Sequence, residues 1–261
     1  MNWVPYEQII CTNLWSSELS KLAANAFLAQ RISSINSISA FCEATGANVQ
    51  EVAKAIGADK RIGNQFLSAG PGFGGSCFKK DILNLVYLSG YFGLPEVANY
   101  WNQVVVLNTW QQDRIYKIVL EKLFGTVNGK NIAILGFSFK ANTNDTRESP
   151  AIRISSELLE EGAILSIYDP KVCFERIEED FENISFNNQG IWKMSNSIPD
   201  ALKNVDAVLI LTAWDEFFGL DWNYLASLMR SPAWVFDTRS VVNRQEIENT
   251  GVNLWKLGEG N

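Results

Sequence analysis

The chain has 261 residues, 47% of them hydrophobic, and carries 22 Lys and Arg against 29 Asp and Glu for a net charge of −7. A chain of this length and apolar content buries a sizeable core, commonly in two domains, and the acidic balance excludes general binding to a nucleic-acid backbone or an anionic membrane surface. Histidine is absent, which excludes Ser-His-Asp and Cys-His catalysis and leaves proton transfer to Lys, Asp, Glu or water.

Residues 1–13 hold a short extended-looking piece around Val4, Pro5 and Tyr6 that reads as the end of a preceding unit. No apolar run approaches a membrane span and the start lacks a basic-then-apolar leader, so a cytoplasmic protein is expected. From Ser16 the pattern changes. Leu19, Leu22, Ala23, Ala26, Phe27, Ile32, Ile35 and Ile38 recur at three and four, with neither Gly nor Pro before Gly46, which predicts one long helix capped by Ser16 or Ser17. Its small residues, among them Ala23, Ala26, Ala29 and Ser33, allow close helix approach. The helix is either the seam of a homodimer or a core helix of its own domain, and the pattern does not separate the two. Lys21 and Asn25 share a face of it; periodicity alone favours a solvated lysine over a desolvated, tuned one. A shorter helix follows over residues 49–56, and Arg61, in the polar loop after it, reads as a surface charge.

The most informative stretch is Gly70-Pro71-Gly72-Phe73-Gly74-Gly75-Ser76-Cys77. Gly70, Gly72 and Gly75 match G-x-G-x-x-G, but no buried strand precedes them, so a dinucleotide-binding reading is rejected. Instead Ser76 is a predicted N-cap, Ile82, Leu83, Leu85 and Val86 form an apolar stripe, and Gly90 is a stop, which puts Cys77 in the first turn of a helix. Unpaired backbone N–H groups and the helix dipole favour a thiolate there. Asp81, four residues on, projects a carboxylate from the same face. The alternative is a small, buried, inert cysteine. Cys11, Cys42 and Cys173 form no C-x-x-C pair with it or each other, and all four read as free thiols.

Pro95 opens a further helix that runs to Leu123 and Gly125, long enough to connect two domains. Beyond Asn128-Gly129 the period changes. Apolar runs around Ile132 to Leu135, Ile164 to Tyr168, Ala207 to Leu211 and Trp234 to Phe236 alternate with helical stretches. This argues an α/β fold with a doubly wound parallel sheet and ligands at the carboxyl ends of its strands. Lys140, Asp145, Arg147, Asp169, Thr212, Asp237 and Arg239 all follow strands and are expected on that rim, where the basic ones suit a phosphorylated ligand.

Three groups of motifs then resemble a known family. They are Ser17-Glu18-Leu19-Ser20-Lys21-Leu22-Ala23-Ala24-Asn25-Ala26-Phe27; Gly72-Phe73-Gly74-Gly75-Ser76-Cys77-Phe78 with Lys80-Asp81; and Leu135-Gly136-Phe137 with Phe139-Lys140 and Asp145-Thr146-Arg147-Glu148-Ser149. Together with Tyr168-Asp169-Pro170-Lys171 and Phe236-Asp237-x-Arg239 they resemble the UDP-glucose 6-dehydrogenases, of the UDP-glucose/GDP-mannose dehydrogenase family, over essentially the whole chain. The resemblance implies an all-helical central dimerisation domain within residues 1–125 and a Rossmann-like UDP-sugar-binding domain over residues 126–261. It implies NAD-dependent, two-step oxidation of UDP-glucose to UDP-glucuronate. Cys77 would form a thiohemiacetal and then a thioester, Lys21 and Asn25 would stabilise the oxyanion, and Asp81 would help activate water. UDP-glucose contacts are implied for Arg61, Phe66, Phe73, Gly74, Phe78, Phe139, Lys140 and Arg239, and NAD contacts for Arg147 and Lys80. A homodimer or higher homo-oligomer through the long helix is implied as well.

Two departures stand out. Ser68 occupies a position where relatives often carry Lys, and the family's amino-terminal NAD-binding domain has no counterpart in this sequence, so poor turnover by this chain alone is expected. A non-catalytic sugar-nucleotide-binding or dimerisation module, and a related dehydrogenase for another nucleotide sugar such as GDP-mannose, are the competing readings.

Overall fold

The structure is a computed structural model that describes residues 3–182 and 190–260. The opening segment holds a single 3-10 turn, Tyr6–Gln8, rather than an extended strand. Helix α1 (Leu14–Thr45) then runs for 32 residues. Asn13, not Ser16 or Ser17, caps it: the Asn13 side chain accepts the Ser16 N–H at 2.8 Å, satisfying one of the donors a helix start leaves open. Gly46, at φ 76, ends it, because the left-handed turn costs glycine little. Helix α2 (Val49–Gly57) is capped by Asn48. Helix α3 (Phe78–Tyr91) continues through Gly90 and leaves the turn to Gly93, at φ 73. Helix α4 (Pro95–Lys122) completes the helical half.

The two halves share α4. Near its start Val104 packs with Ala26, Ala29, Phe73 and Ile82, while Ile115 and Val119 enter the core of the sheet. One apolar stripe at helical spacing therefore belongs to two cores, which makes this helix the connector. The end of the chain adds a second tie. Gly258 donates its N–H to Glu43 at 2.7 Å and accepts from the Val49 N–H at 2.8 Å, and Gly260 N–H reaches the Ala47 carbonyl at 2.9 Å.

The sheet has six parallel strands in the order β3-β2-β1-β4-β5-β6. They are β1 (Asn131–Leu135), β2 (Ile164–Tyr168), β3 (Ile191–Met194), β4 (Ala207–Ile210), β5 (Trp234–Asp237) and β6 (Asn253–Lys256). Alternate residues face opposite sides. Ile132, Ile134, Leu165, Ile167, Leu209 and Phe236 pack on one side with α4, α5 (Pro150–Glu160) and α6 (Phe174–Glu182). Ala133, Leu135, Val208, Ile210 and Val235 pack on the other with α7 (Ile198–Leu202), α8 (Trp222–Leu228) and α9 (Arg244–Ile247). This is the helix-covered, doubly wound arrangement that the apolar runs predict. The strand order reverses between β1 and β4, so the crevice for a ligand opens at their carboxyl ends. Gly136 sits there at φ 88, and any side chain would meet Thr212 Cβ at 2.4 Å. No helix among the described residues is long and apolar enough to cross a membrane.

Candidate active site

The cysteine loop is held from both halves. Asn36 on α1 accepts the Gly70 N–H at 2.9 Å, and Gln111 on α4 donates to the Gly70 carbonyl at 2.9 Å. Asn108 brackets Phe73, accepting its N–H at 2.8 Å and donating to its carbonyl at 3.1 Å. These buried amides were not among the residues singled out from the sequence. Their signal was there: Asn108 and Gln111 occupy the apolar stripe between Val104 and Ile115, and a polar group in such a place needs a specific partner. From the sheet half, the Arg147 carbonyl accepts the Gly75 N–H at 2.7 Å. Phe139 closes over the glycines. A Cβ on Gly74 would lie 2.5 Å from Glu148 O and 2.8 Å from Phe139 Cβ, which is why the loop needs glycine at that position.

This clamp presents Cys77 to solvent. The sulfur is one residue earlier in the helix than the sequence predicts: Cys77 itself is the N-cap of α3, with no side-chain capping bond, and Ser76 Oγ lies 3.6 Å from Sγ. Beneath the loop Phe73 meets Phe78 edge to face at 5.8 Å between centroids, and Phe78 meets Phe66 at 6.4 Å.

Lys21, Asn25 and Asp81 come together. Lys21 Nζ donates to both Asp81 oxygens, at 2.7 and 2.5 Å, and Asn25 Nδ2 donates to Oδ2. The Lys21 side chain is 61% exposed and the Asp81 side chain 5%, so the periodicity reading of a solvated lysine holds for most of the chain while its ammonium is paired. Burial pushes the Asp81 carboxyl up, but the hydrogen bonds from Lys21 and Asn25 and the charges of Lys21 and Lys80 outweigh it and leave the group below its ordinary 3.8. A carboxylate with a lowered pKa stabilises the fold above its ordinary value and loses that contribution as pH falls through the lower folded value. The urea midpoint of the parent should therefore exceed that of Asp81→Asn at neutral pH, and the gap should start to narrow as pH falls through about 4 and close only below the lowered folded value; a gap that stays constant from neutral pH into acid would contradict the ion pair.

The other predicted residues fall into three groups. Arg147 stands on the loop after β1, gripped by Asp145 at 2.9 Å from Nε and 2.7 Å from Nη2. Asp145, and behind it Cys77, hold the Arg147 pKa above its usual value. Together with Lys80, Ser76 and Gly75, Arg147 lines an open pocket of about 610 Å³. Lys140, on the same loop, is exposed, with its ammonium 5.4 Å from the centroid of the Phe139 ring.

Arg239 packs under Gly70, where a Cβ would come within 2.8 Å of Nη1, and its Nε donates to the Leu211 carbonyl at 2.8 Å. Burial lowers the Arg239 pKa to about 10 against the pull of Asp237, so the guanidinium remains charged at neutral pH. It shares a pocket of about 280 Å³ with Asn64, Leu67, Ser68 and Ala69. Arg61 is not brought to this crevice. It folds back on Asp59 at 2.6 Å in an exposed turn.

Two carboxylates of the predicted rim are structural instead. Asp169 Oδ2 accepts from Phe137 N (2.7 Å), Ser138 N (3.0 Å), Ser138 Oγ (3.2 Å) and Trp214 Nε1 (3.1 Å), while Oδ1 accepts from Lys171 N and Val172 N. Asp237 accepts the N–H groups of Arg239, Val241 and Val242. Both are saturated by the backbone turns they organise.

Known proteins place this arrangement. Residues 15–110 match the central domain of the UDP-glucose/GDP-mannose dehydrogenase family, and residues 133–244 match its UDP binding domain. The chain is 51% identical over 272 residues to UDP-glucose 6-dehydrogenase 1 of Arabidopsis thaliana, covering 99% of this chain and 56% of that protein. It is 50% identical to the UDP-glucose 6-dehydrogenase of Drosophila melanogaster, covering 99% and 55%. Among solved structures, a UDP-glucose dehydrogenase from Pyrobaculum islandicum superposes with a TM-score of 0.75 at 30% identity, over 93% of this chain and 51% of that one. The chain thus spans about half the length of the curated relatives it matches. With the central and UDP-binding domain models matched in order along the chain, the chain belongs to the UDP-glucose/GDP-mannose dehydrogenase family.

Proposed function

We propose that this chain carries the substrate-oxidising part of a UDP-glucose 6-dehydrogenase, converting UDP-glucose to UDP-glucuronate with NAD. The observation that carries the reading is an exposed Cys77 on a loop pinned by both halves, with the Lys21–Asn25–Asp81 cluster on the adjoining helices and a basic pocket beside it. NAD, when bound, would supply the hydride acceptor, one NAD for each of the two hydrides that leave C6. The residues present fit one side of it: Arg147 and Lys80 face an open pocket next to Cys77 and supply positive charge for a pyrophosphate.

In this reading Cys77 adds to the C6 aldehyde to give a thiohemiacetal, and loss of hydride leaves a thioester that water hydrolyses to the carboxylate. Lys21 and Asn25 donate to the developing oxyanion. Asp81, held ionised, orients those two donors and the attacking water. The nucleotide rests on the rim of the sheet, with Lys140 at the β1–β4 crevice and Arg239 at the pocket beside Ser68. Lys140→Ala should weaken UDP-glucose binding by about 1.5 to 3 kcal/mol, the value of a charge-assisted hydrogen bond. Calorimetry with UDP-glucose and GDP-mannose checks this. An unchanged affinity removes Lys140 from the site, and tighter binding of GDP-mannose overturns the substrate assignment.

Self-association is part of the proposal. Phe27 and Trp101 meet at 5.5 Å on the outer surface of α1 and α4, close to where Gln30 reaches Tyr100, and Phe41 is 69% exposed further along α1. Such an apolar face is suited to a second copy. The four free thiols fit a reducing, cytoplasmic setting.

A further inference from the structure

Helix α6 reaches the loop that carries Arg147 through one side chain, which two acidic residues of the same helix hold in place. Arg176 Nε donates to Thr146 Oγ1 at 2.7 Å, Nη1 pairs with Glu179 at 2.8 Å, and Nη2 pairs with Asp180 Oδ1 at 3.0 Å. Thr146 is fully buried. It lies between Asp145, which grips the Arg147 guanidinium and its backbone N–H, and Arg147, whose carbonyl holds Gly75 of the cysteine loop. Asp180 is 8% exposed and its Oδ2 has no hydrogen-bond partner. Ser76, Arg147, Arg176 and Asp180 all face the pocket beside Cys77.

We infer that Arg176 is a positioning residue: through Thr146 it fixes the Arg147 guanidinium beside Cys77, so that the loop presents a preset positive charge to an anionic group arriving at that thiol. The Arg147 side chain is 60% exposed, and its ion pair with Asp145 is a surface pair, of a kind worth little by itself. A long side chain held only that way keeps its rotamer freedom and loses it when a ligand binds. Anchoring the loop through a buried hydroxyl removes part of that cost beforehand. Arg176 suits the task because a planar fork can hold three partners at fixed angles. Burial pushes the Asp180 carboxyl up, opposed by the Thr146 hydroxyl beside it and by Arg176, so the far end of the fork is also sensitive to that bond. The inference deepens the proposed site, but it concerns charge placement alone and is measured without turnover, so its failure and that of the proposed reaction are separate results.

The experiment compares alkylation of Cys77 by iodoacetate, an anion, with alkylation by iodoacetamide, its neutral counterpart, in the whole chain, following the Cys77 peptide by mass spectrometry. The rate ratio reads the potential at the sulfur and cancels changes in thiolate fraction and exposure. Arg147→Ala should lower the ratio roughly three- to sevenfold, the effect of one nearby charge in water-rich surroundings. Thr146→Val, which keeps every charge, and Arg176→Lys, which keeps the charge but not the fork, should each lower it at least about twofold. Wild-type ratios in both of those variants would overturn the positioning role even if Arg176→Ala lowers the ratio, because Arg176 would then act as a charge only. A ratio unmoved by Arg147→Ala would overturn the inference at its base. Thr146 is buried, so thermal melting accompanies that variant; if Thr146→Val does not fold, the partly exposed Arg176→Lys decides by itself, a wild-type ratio overturning the positioning role.

Discussion

Replacing Cys77 with serine should abolish carboxylate formation while leaving the fold and the nucleotide-sugar site intact. The side chain is exposed and caps nothing, so the swap of sulfur for oxygen creates no cavity and orphans no partner. What it removes is a soft, readily ionised nucleophile. A serine hydroxyl with no histidine anywhere in the chain to deprotonate it adds poorly to an aldehyde and cannot form a thioester. The expected loss is on the order of a thousandfold or more in UDP-glucuronate production, with UDP-glucose affinity unchanged. The assay is a chimera that joins this chain to the amino-terminal half of its Drosophila relative, supplied with UDP-glucose and NAD and followed by chromatography of the products. If Cys77→Ser still makes carboxylate at a tenth of the parent rate, the covalent mechanism is wrong. If UDP-glucose affinity falls with it, the thiol has a binding role that the proposed mechanism does not include.

Asp169→Ala should be the most damaging single change to stability. One carboxylate at the end of β2 satisfies four backbone N–H groups, the Ser138 hydroxyl and the Trp214 indole, and it is only 3% exposed. Removing it strands several buried donors at once, each worth about 1 to 3 kcal/mol when left unsatisfied. Solvent entry and loop relaxation recover part of that, and a loss of about 3 to 5 kcal/mol is expected, as for other broken buried polar networks. Urea unfolding of the whole chain, with the slope compared between variant and parent, measures it. A loss under about 1 kcal/mol would mean that the carboxylate is not what holds the crevice between β1 and β4 open. Because Phe137 and Ser138 lead directly into Phe139 and Lys140, the same variant should bind UDP-glucose weakly even where it remains folded.

The central strands were readable from the chain because β1, β2, β4 and β5 are covered on both faces, and such strands must be apolar throughout. The edge strands were not. In β3 none of Ile191-Trp192-Lys193-Met194 is buried, and in β6 only Trp255 of Asn253-Leu254-Trp255-Lys256 is, so each edge strand is four residues long with polar residues in it and reads as loop. Helix α6 was missed for a related reason. Only Ile177, Asp180 and Phe181 of Phe174–Glu182 are buried, so its acidic composition hides a narrow apolar stripe. Helix limits shifted by two to four residues where Asn13 and Gly93 took the capping and turning roles expected of Ser16 or Ser17 and of Gly90.

For the candidate site, the sequence by itself determined which chemistry is open to this protein. The absence of histidine, the glycine-rich run into Cys77 and the carboxylate of Asp81 one turn later are facts of composition and helical spacing, and they point to a thiol at a helix start with a carboxylate on the same face. Only the tertiary structure decided the use of each polar group. Lys21 and Asp81 are 60 positions apart in the chain and meet because α1 and α3 pack on the core that Phe73 and Ile82 share. Asp169 and Asp237, indistinguishable in sequence from ligand-binding residues after a strand, are saturated by backbone N–H groups, and Arg176 belongs to a helix the pattern did not reveal. Local spacing fixes which side chains share a face, because that follows from backbone periodicity. Whether a buried donor finds its acceptor depends on contacts between distant segments, and those exist only once the two halves have closed on the cysteine loop.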